Sequence, residues 1–329
     1  MSANRKAIAI NRRSETARKA IILYKNELYI LKEIPWYCSV ESFINYQISF
    51  QERLRSFGFP IPEIMETVNG TYYTKIKDET GEKFFFLQKY LNSSSWDGSL
   101  EYIRSAGKTL AELHNISNKI IFEMVSDFTI PKSDVFDLAD KMIDVLLQTV
   151  AENADALHVT DKQLINKYCE ECKVKINDYR TVAIKNGYKN METLVHGDYN
   201  PWNLLFHPEK ATVIGVIDFD NSIVDNPVHD LVEALVDFCF FSYKNQTTRF
   251  KGLPQQFNQE RGRLFIDSYR ESAEIDLSQF APYIEEVAAA ITIELSALGL
   301  VRGDYNFRDC EKLSEISDIL GRCIKQLIT

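Results

Sequence analysis

Apolar and polar positions alternate along the first part of the chain and then fall into helical spacing, so the sequence divides before any single residue is weighed. Residues 5–11, 17–24 and 28–34 are short runs rich in aliphatic and β-branched side chains, and Lys25-Asn26-Glu27 between the last two predicts a hairpin turn. Over 40–57, Phe43, Tyr46, Gln47, Phe50, Leu54 and Phe57 recur at helical spacing, and Gly58, Pro60 and Pro62 close the helix. Residues 70–76 and 83–90 predict two more strands around a polar turn that holds Asp78 and Gly81. The expectation is a five-stranded antiparallel sheet with one helix, built from residues 1–92.

Asn92-Ser93-Ser94-Ser95-Trp96-Asp97-Gly98 breaks the pattern with a polar stretch directly after a buried strand, as a hinge would. Residues 93–329 then read as a larger, mainly helical lobe, with helices over 100–115, 134–157, 161–187 and 229–243 and three more after residue 256. Within it only 194–225 is non-helical: apolar stretches at 203–206 and 212–219 flank a turn at His207-Pro208-Glu209-Lys210. The fold class is α+β, in two lobes of unequal size.

Composition narrows the class of partner. The 329 residues are 45% hydrophobic and 26% charged, which fits a folded chain and excludes disordered or fibrous ones. With 38 Lys and Arg against 47 Asp and Glu, the net charge of −9 argues against nucleic-acid and anionic-membrane binding and agrees in sign with a cationic substrate. No run of 18 apolar residues occurs, and the stretch 287–301, interrupted by Glu294, reads as a buried helix. No apolar run of leader length follows the opening residues, so the expected location is the cytoplasm. Six scattered cysteines read as reduced thiols; Cys169 and Cys172, three apart on one helix face, lack the two further ligands of a structural zinc site.

The polar residues with chemical promise gather in the non-helical interval. His196-Gly197-Asp198-Tyr199-Asn200-Pro201-Trp202-Asn203 places an Asn five residues after an Asp, and Ile217-Asp218-Phe219-Asp220 follows at the end of an apolar strand. One carboxylate can orient an acceptor hydroxyl and take its proton, while an amide oxygen and a second carboxylate are hard ligands for Mg²⁺ on nucleotide phosphates. Neither a Walker loop nor a Gly-x-Gly dinucleotide fingerprint nor a Gly-x-Ser-x-Gly elbow occurs.

In these motifs the chain resembles the aminoglycoside phosphotransferase and choline kinase family, small-molecule kinases with a bilobal protein-kinase-like fold. The resemblance implies Asp198 as catalytic base and Asn203 and Asp218 as metal ligands, with His196 structural. It also implies that Asp230, in a Pro-x-x-Asp-Leu segment, and His114, in Leu-Ala-x-Leu-His, hold the loop together. In the small lobe, Lys32 at the end of Tyr29-Ile30-Leu31-Lys32 matches the lysine that contacts the phosphates, and Ser14 lies in the nucleotide-covering loop. The glutamate that usually pairs with this lysine falls near Gln47, a departure for which Glu41 or Glu52 would substitute. Gln88, Tyr90 and Leu91 would hold the base of ATP or GTP.

The implied reaction is transfer of a γ-phosphoryl group, with Mg²⁺, to a hydroxyl of a small and amino-bearing acceptor. Aminoglycosides, choline and homoserine are among the family's substrates, so a role in antibiotic resistance is one expectation. Asp220, Asp225, Glu233 and Asp237 would line the acceptor pocket, although a solvated acidic surface accounts for them as well. Two other readings stand beside this one. A pseudokinase is favoured by Gln47 alone, and a protein kinase is opposed by the missing Asp-Phe-Gly and Ala-Pro-Glu segments.

Overall fold

The computed structural model describes residues 12–13, 18–79, 81–153, 157–239 and 257–329. Five strands open the fold: β1 (Arg12–Arg13), β2 (Arg18–Tyr24), β3 (Glu27–Glu33), β4 (Thr74–Asp78) and β5 (Gly81–Lys89). They lie in the order β1-β2-β3-β5-β4 with every neighbouring pair antiparallel, the two-residue β1 at one edge. The strand expected over 5–11 lies outside the described residues.

The hairpin turn fixes the register on which the site depends. Lys25 and Asn26 both take positive φ, 51° and 64°, the twist that matches two antiparallel strands through a two-residue loop. Tyr24 therefore pairs with Glu27, and the ladder carried back places Lys19 directly opposite Lys32. The strand expected from residue 70 begins instead at Thr74, because Thr67 to Thr71 close a turn in which Gly70 adopts φ 74°.

Helix α1 (Glu41–Ser56) buries two faces. Ile44 and Ile48 pack toward the sheet with Ile34, Phe84 and Phe86, while Tyr46, Phe50 and Leu54, each one turn apart, join the larger core. Between these stripes Gln47 and Gln51 are buried too, at 5% and 6% exposure, so their amides need partners.

After β5 the chain runs through 92–98, where Ser94 exchanges backbone hydrogen bonds with Phe206 (2.9 and 3.2 Å). The helices that follow are α2 (Leu100–Asp127), α3 (Val135–Glu152), α4 (Val159–Lys185), α5 (Val228–Cys239), α6 (Gln259–Ser272), α7 (Ile284–Arg302) and α8 (Cys310–Ile328). Helix α2 runs twelve residues past the expected stop at 115, because Ile116, Ile120 and Met124 continue its apolar face beyond the polar pair Ser117-Asn118. Residues 240–243, expected to finish α5, lie outside the described residues.

Four short strands interrupt the helices: β6 (Thr193–Val195), β7 (Leu204–Phe206), β8 (Val213–Val216) and β9 (Ile223–Asp225). β7 pairs with β8 in the expected hairpin, and β6 pairs with β9 in a ladder the apolar pattern does not announce. The two ladders bring the segment between β6 and β7 against the segment between β8 and β9. No helix among the described residues is long and apolar enough to cross a membrane.

Candidate functional site

The segment leaving β6 turns sharply at Gly197, whose φ of 73° and crowding leave no room for a side chain: a Cβ there would stand 2.2 Å from the Asn221 carbonyl oxygen. The two segments thus touch through backbone. Asp230, fully buried on α5, accepts the amides of His196 (2.7 Å) and Gly197 (2.8 Å), and His114 of α2 backs it at 3.2 Å. Burial alone would raise the Asp230 carboxyl; the His114 hydrogen bond and the neighbouring imidazoles hold it below the ordinary range. His196 accepts the Asp198 amide at Nδ1 (3.2 Å) and places Nε2 3.0 Å from the Ile217 carbonyl, so the ring ties the loop to the residue before Asp218.

Asp198 is half-buried and its two oxygens are held apart by amides: Oδ1 accepts from Asn200 Nδ2 (2.7 Å) and Oδ2 from Asn203 Nδ2 (2.8 Å). The Asn203 amide nitrogen also reaches the Asp198 carbonyl at 2.8 Å, and its backbone oxygen accepts the Ile217 amide at 3.0 Å. With its nitrogen committed to Asp198, Asn203 has its amide oxygen as the remaining hard ligand.

Asp218 itself occupies the left-handed region at φ 72°, rare for a residue with a side chain. From there its Oδ1 meets Lys32 Nζ at 2.5 Å and its Oδ2 meets Lys19 Nζ at 3.4 Å; Lys32 Nζ also meets Asp220 Oδ2 at 2.6 Å. Burial would discharge the Lys32 ammonium, but Asp220 and then Asp218 more than offset it and raise its pKa. Burial would likewise raise Asp218, yet Lys32 and Lys19 hold it well below the usual carboxylate range. Asp220 goes the other way, pushed up by burial and by Asp218 against the pull of Lys32.

These charged groups help line a cavity of about 460 Å³ whose apolar walls include Ile21, Ile30, Phe86, Leu205 and Ile217. Lys32, Gln88, Tyr90, Leu91, Asp218 and Asp220, expected from sequence, line it, as does Lys19, which sequence reasoning missed. Counting back from the Lys25-Asn26 turn would have paired Lys19 with Lys32. Gln88 spends its side-chain amide on the Pro62 carbonyl (3.1 Å), and the Tyr90 amide is bound to the Leu28 carbonyl (3.0 Å). Ser14 lies outside the described residues.

The acids expected around the acceptor do not act as one group. Asp220 faces Lys32. Asp225 is turned into the core at 2% exposure, with Tyr188 on one oxygen (2.7 Å) and His229 on the other (3.1 Å). Glu233 accepts the Tyr199 amide (3.1 Å) and so braces the Asp198 loop, while Asp237 lies one turn further along α5. Glu41 and Glu52 do not reach Lys32 either: they pair with Lys75 (3.3 Å) and Arg55 (2.7 Å).

The described residues contain no cluster of three or more His, Cys, Asp or Glu able to hold a metal alone. One carboxylate and one amide oxygen are a donor set that fits a hard divalent cation whose remaining ligands are phosphate oxygens.

Known proteins share this arrangement of elements. An amicoumacin kinase in complex with AMP-PNP, Ca²⁺ and Ami superposes with a TM-score of 0.63 at 14% identity, covering 96% of this chain and 87% of that one. A microcompartment-associated aminopropanol kinase gives 0.61 at 16% (98% and 91% covered), and the choline kinase of Cryptosporidium parvum gives 0.58 at 13% (98% and 88%). At such identities the likeness shows the protein-kinase-like fold. Among curated proteins, acyl-CoA dehydrogenase family member 10 of Mus musculus is 51% identical over 46 residues, and member 11 of Homo sapiens is 43% identical over 42. Those matches take in 14% and 13% of this chain and only 4% and 5% of the relatives' length. Residues 39–265, which run from the approach to α1 through the Asp198 loop and the Asp218 turn into α6, match the phosphotransferase enzyme family, and the chain belongs to that family.

Proposed function

We propose that the protein is a small-molecule kinase that transfers the γ-phosphoryl group of ATP or GTP to a hydroxyl of an amino-bearing acceptor. The observation that carries this reading is the meeting of Lys32 and Asp218, from β3 and the turn after β8, in the lining of a cavity of about 460 Å³. In this reading residues 1–92 form a nucleotide-binding lobe and 93–329 a catalytic lobe, with the cavity between them.

The nucleotide base would lie among the apolar walls near Gln88, Tyr90 and Leu91, with the Leu91 amide as its backbone donor, since that of Tyr90 is engaged. Lys32, aided by Lys19, would hold the phosphates. Asp218 and the amide oxygen of Asn203 would hold Mg²⁺, which supplies charge neutralisation on the phosphate oxygens. Asp198 orients the acceptor hydroxyl. The acceptor oxygen bonds to the γ-phosphorus, the bond to the bridging oxygen of the leaving nucleoside diphosphate breaks, and the hydroxyl proton passes to the Asp198 carboxylate. Of the acids first considered for the acceptor, Asp220 holds Lys32, Asp225 meets Tyr188 and His229, and Glu233 braces the Asp198 loop.

A mass-spectrometric screen for ATP- and Mg²⁺-dependent phosphorylation across amino-alcohols, amino acids, sugars and hydroxylated antibiotics tests the proposal. One phosphorylated product that disappears with Asp198→Asn supports it. Nucleotide binding without any such product across the panel counts against it.

A further inference from the structure

We infer that Asp220, rather than any residue of α1, is the permanent anion that holds Lys32 against the phosphates, and that Gln47 secures Asp220 by gripping its backbone. The inference rests on the reading of Lys32 as the phosphate-binding lysine. A buried ammonium needs a partner in every state of the site. Asp218 cannot be that partner throughout, because the same reading gives its carboxylate to a cation. Asp220 remains, with its Oδ2 2.6 Å from Lys32 Nζ and its side chain 13% exposed.

What α1 presents to this turn is an amide. Gln47 Nε2 donates to the carbonyls of Asp220 (2.8 Å) and Phe219 (3.3 Å), Cys38 Sγ approaches the Asp220 carbonyl at 3.3 Å, and Ser222 Oγ donates to the Phe219 carbonyl at 2.8 Å. A carboxylate at 47 would face two carbonyl oxygens with no proton to give them. The negative charge and the helix contact are thus divided between two residues: Asp220 supplies the charge, and Gln47 supplies the donor that fixes where the charge sits. Lys32 is thereby tied to the turn that bears Asp218, two residues away, so the phosphate-holding and cation-holding groups are set by one backbone segment.

A double-mutant cycle reads this directly. Affinity for a non-hydrolysable ATP analogue with Mg²⁺ is measured by calorimetry, and KM and kcat with an accepted substrate, for Asp220→Asn, Gln47→Leu, Lys32→Ala and each of the first two combined with Lys32→Ala. Asp220→Asn is expected to weaken analogue binding about tenfold and Gln47→Leu by about threefold, with the acceptor KM unchanged and with less than about a twofold further loss in the Lys32→Ala background. Gln47→Leu keeps the Asp220 carboxylate and so remains informative if Asp220→Asn fails to fold. Losses that persist in full without Lys32, or a shift confined to the acceptor KM, overturn the inference. If Lys32→Ala itself leaves analogue affinity intact, the phosphate-binding reading of Lys32 is what fails.

Discussion

Asp218 and Gly197 both sit at positive φ in the site, where a side chain is costly and glycine is at ease. Asp218 at φ 72° carries a strain of roughly 1 kcal/mol or more, and the two lysines on its carboxylate keep it there. Gly197 has the same sign of φ and in addition abuts Asn221. Gly197→Ala is therefore expected to cost roughly 2–4 kcal/mol, since the new methyl would overlap a backbone oxygen that cannot swing aside, and chemical denaturation will measure it. Asp198→Asn makes a smaller demand: its single amide oxygen still accepts from one of the two neighbouring side-chain amides, and only the other must turn away from the new NH2 group. That variant should fold with unchanged nucleotide affinity and lose about 10²–10⁴-fold in turnover, the range expected when a positioned base is removed. A drop in nucleotide affinity of the same size would place Asp198 in binding instead.

At the scale of elements, α5 does most to position the site. All twelve of its residues are buried, so its polar ones must be satisfied inside the protein, and they are satisfied by the loops that carry the chemistry: Asp230 and Glu233 by the amides of the Asp198 loop, His229 by Asp225 at the end of β9. Burial alone would push the His229 imidazole down, but the Asp225 hydrogen bond and the carboxylates of Asp225, Glu233 and Asp230 lift its pKa to about 9. A folded-state pKa above the unfolded value of 6.5 gives stability that is complete below pH 6.5 and is lost as pH rises through about 9. The wild type is expected to lose on the order of 3 kcal/mol of this contribution between pH 6 and pH 10, and His229→Gln to flatten that part of the curve in denaturation titrations. The same elements show what a sequence makes legible. Asp198, Asn203 and Asp218 stand out because spacing along a short segment survives folding unchanged, and Lys32 because it ends a clear strand. Lys19 does not, and Asp220 stands out without its contact to Lys32, since the task of each depends on a register or a turn that joins distant segments. β6 and β9, three residues each, are too short for alternation to register, and α2 outruns its predicted end because a buried stripe outweighs two polar residues.

For the molecule as a whole, Lys32 and Lys19 pair residues of the β-sheet part with the turn that follows β8. The larger core extends through α1, whereas the small cluster around Ile44 and Phe84 stays on the sheet side, and the cavity lined by the sheet and by the β7 and β8 region is bridged by the Lys32, Asp218 and Asp220 contacts. A ligand that binds the folded chain in this cavity adds stability by mass action. At about 100 times its Kd a nucleotide contributes about 2.7 kcal/mol, which for a chain of this size raises the melting temperature by roughly 5 °C. If Asp218 holds Mg²⁺, the rise with ATP and Mg²⁺ together should exceed that with ATP alone. In Asp218→Asn the added effect of Mg²⁺ should vanish while the response to ATP alone persists, because asparagine tolerates the left-handed backbone and Lys32 keeps Asp220 as its anion. Scanning calorimetry on both proteins decides it. A Mg²⁺-dependent rise that survives in Asp218→Asn would move the cation away from this turn, and a variant that responds to neither ligand would mean that Lys32 cannot hold its place on Asp220 alone.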